Sequence, residues 1–232
     1  TYYKSNSINQ LLGLSIPTAT GYNLQYINAG NIQNQGFEFL VSATPIRKQD
    51  FNWDITFNFA LNRNKIIKLD PNIKKVDYGG GDNRSATPEI KEGQSFGDLL
   101  AYVWLKDAKG NYELSPDGTP YTTYKTGAQQ TKIGNYNPKA TIGWTNTFRY
   151  KSISLKVLID GRFGGTMVSG TEMNLAFNGI PEVTGQHREG GWSLGGVDPN
   201  TGSPITTAIN SQQFWRTASG GRYGVGQFFA YD

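Results

Sequence analysis

The chain has 232 residues, 37% hydrophobic and 13% aromatic, with 29 Gly, 10 Pro, no Cys and a formal net charge of +4. No run approaches the roughly 18 apolar residues of a membrane helix, the lack of Cys excludes disulfides, zinc–thiolate sites and cysteine nucleophiles, and no signal-peptide pattern opens at Thr1. Basic residues are scattered as singles such as Lys125 and pairs such as Arg47-Lys48 and Lys74-Lys75, not gathered into the stripe of a nucleic-acid binder, so no nucleic-acid partner is expected.

The first predicted element is a weak strand in TYYKSNSINQLL. Next comes Asn28-Ala29-Gly30-Asn31, where glycine and asparagine tolerate positive φ and turn the chain into a strand. Four segments then carry the period-two pattern of a strand. Residues 36–44 place Phe37, Phe39, Val41 and Ala43 against Glu38, Leu40, Ser42 and Thr44. Residues 51–61 place Trp53, Ile55, Phe57, Phe59 and Leu61 against Asp54, Thr56, Asn58 and Ala60. Residues 140–150 place Ile142, Trp144, Phe148 and Tyr150 against Thr141, Thr145, Thr147 and Arg149. Residues 152–163 place Ile153, Leu155, Val157, Ile159 and Phe163 against Ser154, Lys156, Asp160 and Arg162.

Within each hairpin, 36–61 and 140–163, the connection is short: TPIRKQ in the first and Tyr150-Lys151-Ser152 in the second. Between the hairpins lies a connection over 63–138, far beyond the ordinary loop length of a compact domain, and the tail 164–232 is equally strand-poor. Short turns on one side and long loops on the other is the layout of a transmembrane β-barrel. The alternation itself fits two media, because a soluble antiparallel sheet hides its apolar face in a core and a membrane barrel turns it to lipid. Three features favour the barrel: strands of bilayer-crossing length, aromatics near strand ends, and both charge signs (Asp54, Arg149, Lys156, Asp160, Arg162) on the polar side.

Other motifs weigh less. In DAKGNYELSPDGTP, residues 107–120, the oxygens of Asp107, Asn111, Glu113 and Asp117 offer a hard ligand set for calcium, but Lys109 breaks the EF-hand pattern and two turns at Lys109-Gly110 and Asp117-Gly118 explain the stretch. His187 has Ser193 and Glu189 nearby but no G-x-S-x-G elbow, and Gly79-Gly80-Gly81 lacks the Lys-Ser/Thr of a phosphate loop. No catalytic residue, resident metal or cofactor is expected. The loop aromatics Tyr78, Tyr102, Trp104, Tyr112, Trp192 and Trp215, with Tyr121, Tyr124, Phe214 and Tyr223, either stack on a ligand such as a sugar or build small loop cores.

Six stretches in order carry a resemblance: TYYKSNSINQLLGLSIP (1–17), YINAGNIQNQGFEFLVSATPI (26–46), FNWDITFNFALNRNKIIKL (51–69), IKEGQSFGDLLAYVW (90–104), IGNYNPKATIGWTNTFRYKSISLKVLIDGRFGG (133–165) and the terminal YGVGQFFAYD. Together they resemble the C-terminal barrel of the SusC/RagA family of TonB-dependent outer-membrane transporters of Bacteroidetes. The resemblance implies an all-β fold, part of an antiparallel barrel of about 22 strands, in the outer membrane of a Gram-negative bacterium. It also implies that the chain is a fragment, without the family's signal peptide, TonB box, plug and last strands, all of residues 1–232 belonging to one barrel domain. Under it Phe37, Phe39, Trp53, Ile55, Phe57, Phe59, Ile142, Trp144, Leu155, Val157 and Ile159 face lipid. The implied activity is import of an oligosaccharide or oligopeptide, not an enzymatic reaction, with a SusD-like surface lipoprotein as lid and TonB acting through the plug. The alternative is a soluble β-sandwich that binds glycans.

Overall fold

The four alternating segments and Tyr2–Ile8 become one antiparallel sheet. The structure is a computed structural model that describes residues 1–8, 11–15, 24–28, 30–69, 71, 75–77, 86–123, 130–219 and 230–231. In chain order its strands are β1 (Tyr2–Ile8), β2 (Leu11–Ser15), β3 (Leu24–Asn28), β4 (Asn31–Arg47), β5 (Phe51–Lys68), β6 (Lys75–Asp77), β7 (Thr87–Lys91), β8 (Asp98–Ala101), β9 (Tyr112–Glu113), β10 (Thr131–Asn135), β11 (Ala140–Tyr150), β12 (Ile153–Phe163) and β13 (Met167–Val168). Helix α1 (Gly170–Phe177), strands β14 (Gly196–Val197) and β15 (Pro204–Ile205), helix α2 (Ser211–Ser219) and strand β16 (Ala230–Tyr231) follow. No helix among the described residues is long and apolar enough to cross a membrane, which says nothing of strands.

Two compact units divide the chain. The first comprises Thr1–Val76, Ile90–Gly97 and Asn135–Gly165, the second Asp77–Glu89, Asp98–Gly134 and Thr166–Asp232. In the first unit the strand order is β1-β4-β5-β11-β12, and every neighbouring pair is antiparallel. Both hairpins predicted from the alternation are present, and they lie side by side through the pairing of β5 with β11. The weak N-terminal candidate resolves into β1, paired on β4, and β2, paired on β3.

Two strands run well past the limits set by alternation. β4 continues to Arg47 and takes in Pro45, with a register shift between Ala43 and Ile46. Proline has no N–H to give the ladder and is tolerated where the ladder is already broken, so the hairpin turn is Lys48–Asp50 and not TPIRKQ. β5 continues to Lys68 because Arg63, Asn64 and Lys65 pair with Gln35, Asn34 and Gln33. These residues are polar on both faces, so no periodic apolar signal marks them as strand. Gly30, at φ +97°, makes the turn into β4; a β-carbon there would come 1.8 Å from the Lys68 carbonyl oxygen, so only glycine fits.

The second unit has its own small core. Trp104, Ile209, Phe214 and Ala218 are buried, with Tyr102, Tyr112, Trp192, Leu194 and Trp215 packed against them. Strand pairing is local: Trp104 opposite Thr122, Lys106 opposite Tyr112 and Leu114 opposite Pro120 fold residues 104–122 back on themselves, and β14 lies parallel to β9 and antiparallel to β15. The tail read as strand-poor supplies helices. Ser169 caps α1 by accepting the Glu172 N–H at 3.2 Å, the Ser-x-x-Glu capping signature, and Asn210 caps α2 by accepting the Gln213 N–H at 2.8 Å. Met173 and Ala176 of α1 bury their side chains against Trp215 of α2.

Candidate functional site

Register assigns each wall residue to a face, because directly paired residues share one. The central row is Val41–Phe57–Trp144–Ile159, flanked by Phe39–Phe59–Ile142 and by Ile46–Trp53–Phe148–Leu155. The side chains named above as lipid-facing therefore fall on a single face. Tyr2 against Phe37 (ring centroids 5.0 Å apart) marks one end of this face, and Phe51, Tyr150 and Ile153 the other. From Phe51 to Leu61 the strand takes ten steps of roughly 3.4 Å. Tilted by roughly 35–45°, it covers about 24–28 Å, the height of a membrane barrel's apolar band.

Among the described residues this face has no buried core. No large apolar side chain of 36–61 or 140–163 is buried; Phe37 is 57% exposed, Phe39 55% and Leu155 58%. A β-sandwich would bury these groups under a second sheet, and among the described residues they are not buried. One polar residue interrupts the apolar face: Asn146 lies between Ile55 and Val157. It is 7% exposed, and its Oδ1 accepts the Trp53 indole N–H at 3.2 Å. Trp53 stacks on Phe148 at 5.8 Å. Sequence reasoning passed over Asn146 because an amide on an apolar face breaks the pattern; its partner, 93 residues away, is what makes it tolerable. Replacing Asn146 by Ala alone strands the indole donor and should cost about 1–3 kcal/mol. Adding Trp53→Phe should recover much of that loss, as urea unfolding of the single and double variants in a double-mutant cycle will show.

The opposite face is a polar ladder. Asp54 accepts the Thr44 hydroxyl at 2.7 Å and the Arg149 guanidinium at 2.6 Å. Ser42 lies 3.3 Å from the Thr56 hydroxyl, and Asn62 receives the Tyr3 hydroxyl and donates to Asn34. An open hollow of about 670 Å³ lies among Glu38, Asn58, Thr141 and Asp160. Leu40 and Leu158 are the exceptions, 69% and 62% exposed in rows with Asn58 and Thr145.

The loop aromatics come together as the core of the second unit. Trp104 meets Tyr112 at 5.4 Å and Phe214 at 5.7 Å, both edge-on; Trp192 stacks on Phe214 at 4.4 Å and meets Trp215 edge-on at 6.3 Å. Trp104 is buried, whereas Tyr102, Tyr112, Trp192 and Trp215 keep part of their surface accessible. Trp215 also lines a cleft of about 420 Å³ with Phe177, Thr184, Arg188, Ser211 and Arg216. His187, at φ +54°, lies against Trp192 at 4.3 Å. Tyr78, Gly79-Gly80-Gly81, Tyr124 and Tyr223 lie outside the described residues.

The oxygens of the 107–117 stretch serve two turns. Asp107 accepts from the Lys109 and Asn111 N–H groups and the Asn111 amide. The Asn111 amide, with the Asn111, Lys109 and Gly110 backbone behind it, holds the Asp107 carboxyl below the usual aspartate range. Asp117 accepts the Ser115 hydroxyl and the Thr119 N–H and hydroxyl, and the Ser115 bond foremost lowers its pKa. No group of three or more His, Cys, Asp or Glu placed to hold a metal is found among the described residues.

A single-layer antiparallel sheet with one unburied apolar face and one polar face is the wall of a transmembrane-type β-barrel. Comparison with known proteins goes further. No family model matches the chain. TonB-dependent receptor P3 of Formosa agariphila is 27% identical over 195 residues, 75% of this chain and 19% of that protein. TonB-dependent receptor SusC of Bacteroides thetaiotaomicron is 32% identical over 107 residues, 43% of this chain and 11% of that protein. The RagAB peptide importer in its closed-closed state matches all of this chain over 25% of its own, with TM-score 0.62 and 20% identity. A second structure of the RagAB peptide transporter matches 92% of this chain over 24% of its own, with TM-score 0.54 and 21% identity. The chain is thus similar in sequence to TonB-dependent receptors, SusC among them, and similar in fold to part of RagAB. It spans about a fifth or less of the length of the curated relatives it matches.

Proposed function

We propose that the protein carrying this stretch imports a large nutrient, an oligosaccharide or an oligopeptide, across the outer membrane. Import is driven through TonB and assisted by a SusD-like surface lipoprotein. The observation that carries this reading is the two-faced wall: an apolar band of membrane height on one side, a hydrogen-bonded polar ladder on the other, in a sequence related to TonB-dependent receptors. In this reading Phe37, Phe39, Trp53, Ile55, Phe57, Phe59, Ile142, Trp144, Leu155, Val157 and Ile159 touch lipid. The ladder around Asp54 and Arg149 lines the passage. The second unit, built on Trp104, Tyr112, Trp192 and Trp215, belongs to the loops that meet cargo and lid. No substrate bond is made or broken, and no cofactor takes part.

The test is uptake by cells producing the full-length protein. Labelled oligosaccharide and oligopeptide mixtures are supplied with and without a protonophore, in strains with and without TonB. We expect accumulation of one cargo class that collapses when either the proton gradient or TonB is removed. Accumulation that survives both removals overturns the proposal.

A further inference from the structure

The wall register carries one more consequence, and it rests on the reading that the Trp53–Phe57 face touches lipid. That face does not stop at Tyr2–Phe37–Leu61; the same register continues through Lys4–Gln35–Arg63 and Asn6–Gln33–Lys65. Beyond the aromatic end of the apolar band, the outward face thus turns abruptly to three cations and three amides. Lys4, Arg63 and Lys65 are all exposed. Gln33, Gln35, Arg63 and Lys65 line a hollow of about 270 Å³ with Asn64, Gly93 and Ser95, and among the described residues no carboxylate lines it. Of the described carboxylates close in sequence, Glu38 belongs to the polar ladder face and Glu92 accepts the Leu69 N–H.

We infer that this patch is a binding site for the phosphate of an anionic lipid headgroup. Spacing fits such a group. Adjacent rows on one face lie roughly 7 Å apart along the strands, and Lys4 and Arg63, two strands apart, roughly 10 Å, so a phosphate above Gln35 is within reach of both long side chains. The Gln33 amide is already oriented by donating to Asn6 at 2.9 Å, and the Gln35 amide beside it is placed to bond a headgroup oxygen. Position decides the occupant. Lysine and arginine at the edge of an apolar band extend their stems along it and hold their charge at headgroup level, where a lipid phosphate sits. A water-borne phosphate has no reason to prefer that level. The patch ties the wall to the bilayer at one depth.

The experiment uses the full-length transporter in vesicles of phosphatidylcholine and of an equimolar phosphatidylcholine–phosphatidate mixture. Native mass spectrometry after extraction counts the lipids retained. The triple variant Lys4→Gln/Arg63→Gln/Lys65→Gln is compared with a polar-face control, Lys156→Gln/Arg162→Gln. Phosphatidate retention should fall about tenfold to a hundredfold in the triple variant, three surface cations each contributing a modest factor, and should stay unchanged in the control. Inorganic phosphate at millimolar concentration should not displace the lipid. Equal retention by wild type and triple variant, equal loss in the control, equal loss of phosphatidylcholine, or displacement by inorganic phosphate each overturns the site. Bromine-labelled lipid separates this from the underlying reading: if Trp144→Phe leaves the fluorescence quenching unchanged, the face does not touch lipid, and site and orientation fail together.

Discussion

Arginine in place of Trp144 is expected to destabilise the full-length protein in lipid by about 2–4 kcal/mol, the cost of a charge near the midplane if this is a barrel's lipid face. Trp144 lies in the central row with Phe57 and Ile159, midway between the aromatic ends of the band. There a guanidinium has the longest path to either headgroup layer. The next residue is the control. Thr145 points to the polar face, opposite Thr56, and Thr145→Arg should change stability by only about 0.5 kcal/mol, as a surface substitution does. Reversible urea unfolding from vesicles measures both. If the two substitutions cost the same, the sheet has no lipid side, and a buried apolar core has to be sought for Phe57 and Trp144.

Trp104→Ala should have the larger effect within the second unit, about 3–5 kcal/mol for removing a buried indole from a packed cluster. Trp104 is 4% exposed, and its ring is held edge-on by Tyr112 and Phe214. The hairpin 104–122 and helix α2 should then lose protection together in hydrogen exchange, while the wall strands keep theirs. Trp104→Phe, which keeps an aromatic in the cluster, should recover a good part of the protection. Tyr102, only partly buried at the rim of the same cluster, separates packing from contact: Tyr102→Ala should lower cargo or lid affinity with little loss of protection if it meets a ligand. If Trp104→Ala leaves exchange untouched, the cluster is not what orders this unit.

The wall was legible in the sequence to a large degree, and the second unit was not. For 51–61 and 140–150 the pleat sends alternate side chains to opposite faces, so the chain's own order names both faces before any partner is known. The extension of β5 to Lys68 was invisible for the converse reason: Arg63, Asn64 and Lys65 are polar in both phases, and only pairing with β4 makes them strand. Helix α1 left a trace in Ser169-Gly170-Thr171-Glu172 that the strand-poor look of the tail hid. The gathering of Trp104, Trp192 and Phe214 left none, because rings 22 to 110 positions apart carry no shared local signal.

Trp53 and Asn146 show where the division falls. Alternation along the backbone settles that Trp53, Ile55 and Phe57 share a side, since the period of a strand is a property of one chain segment. It cannot settle that an amide 93 residues onward belongs on that side, because that depends on which strand lies next and in what register. The same non-local choice aligns Lys4 with Arg63 across two strand boundaries and gathers the scattered indoles into a core. Faces follow from short-range covalent geometry; neighbours follow from long-range packing, whose free energy is known only when the strands have met.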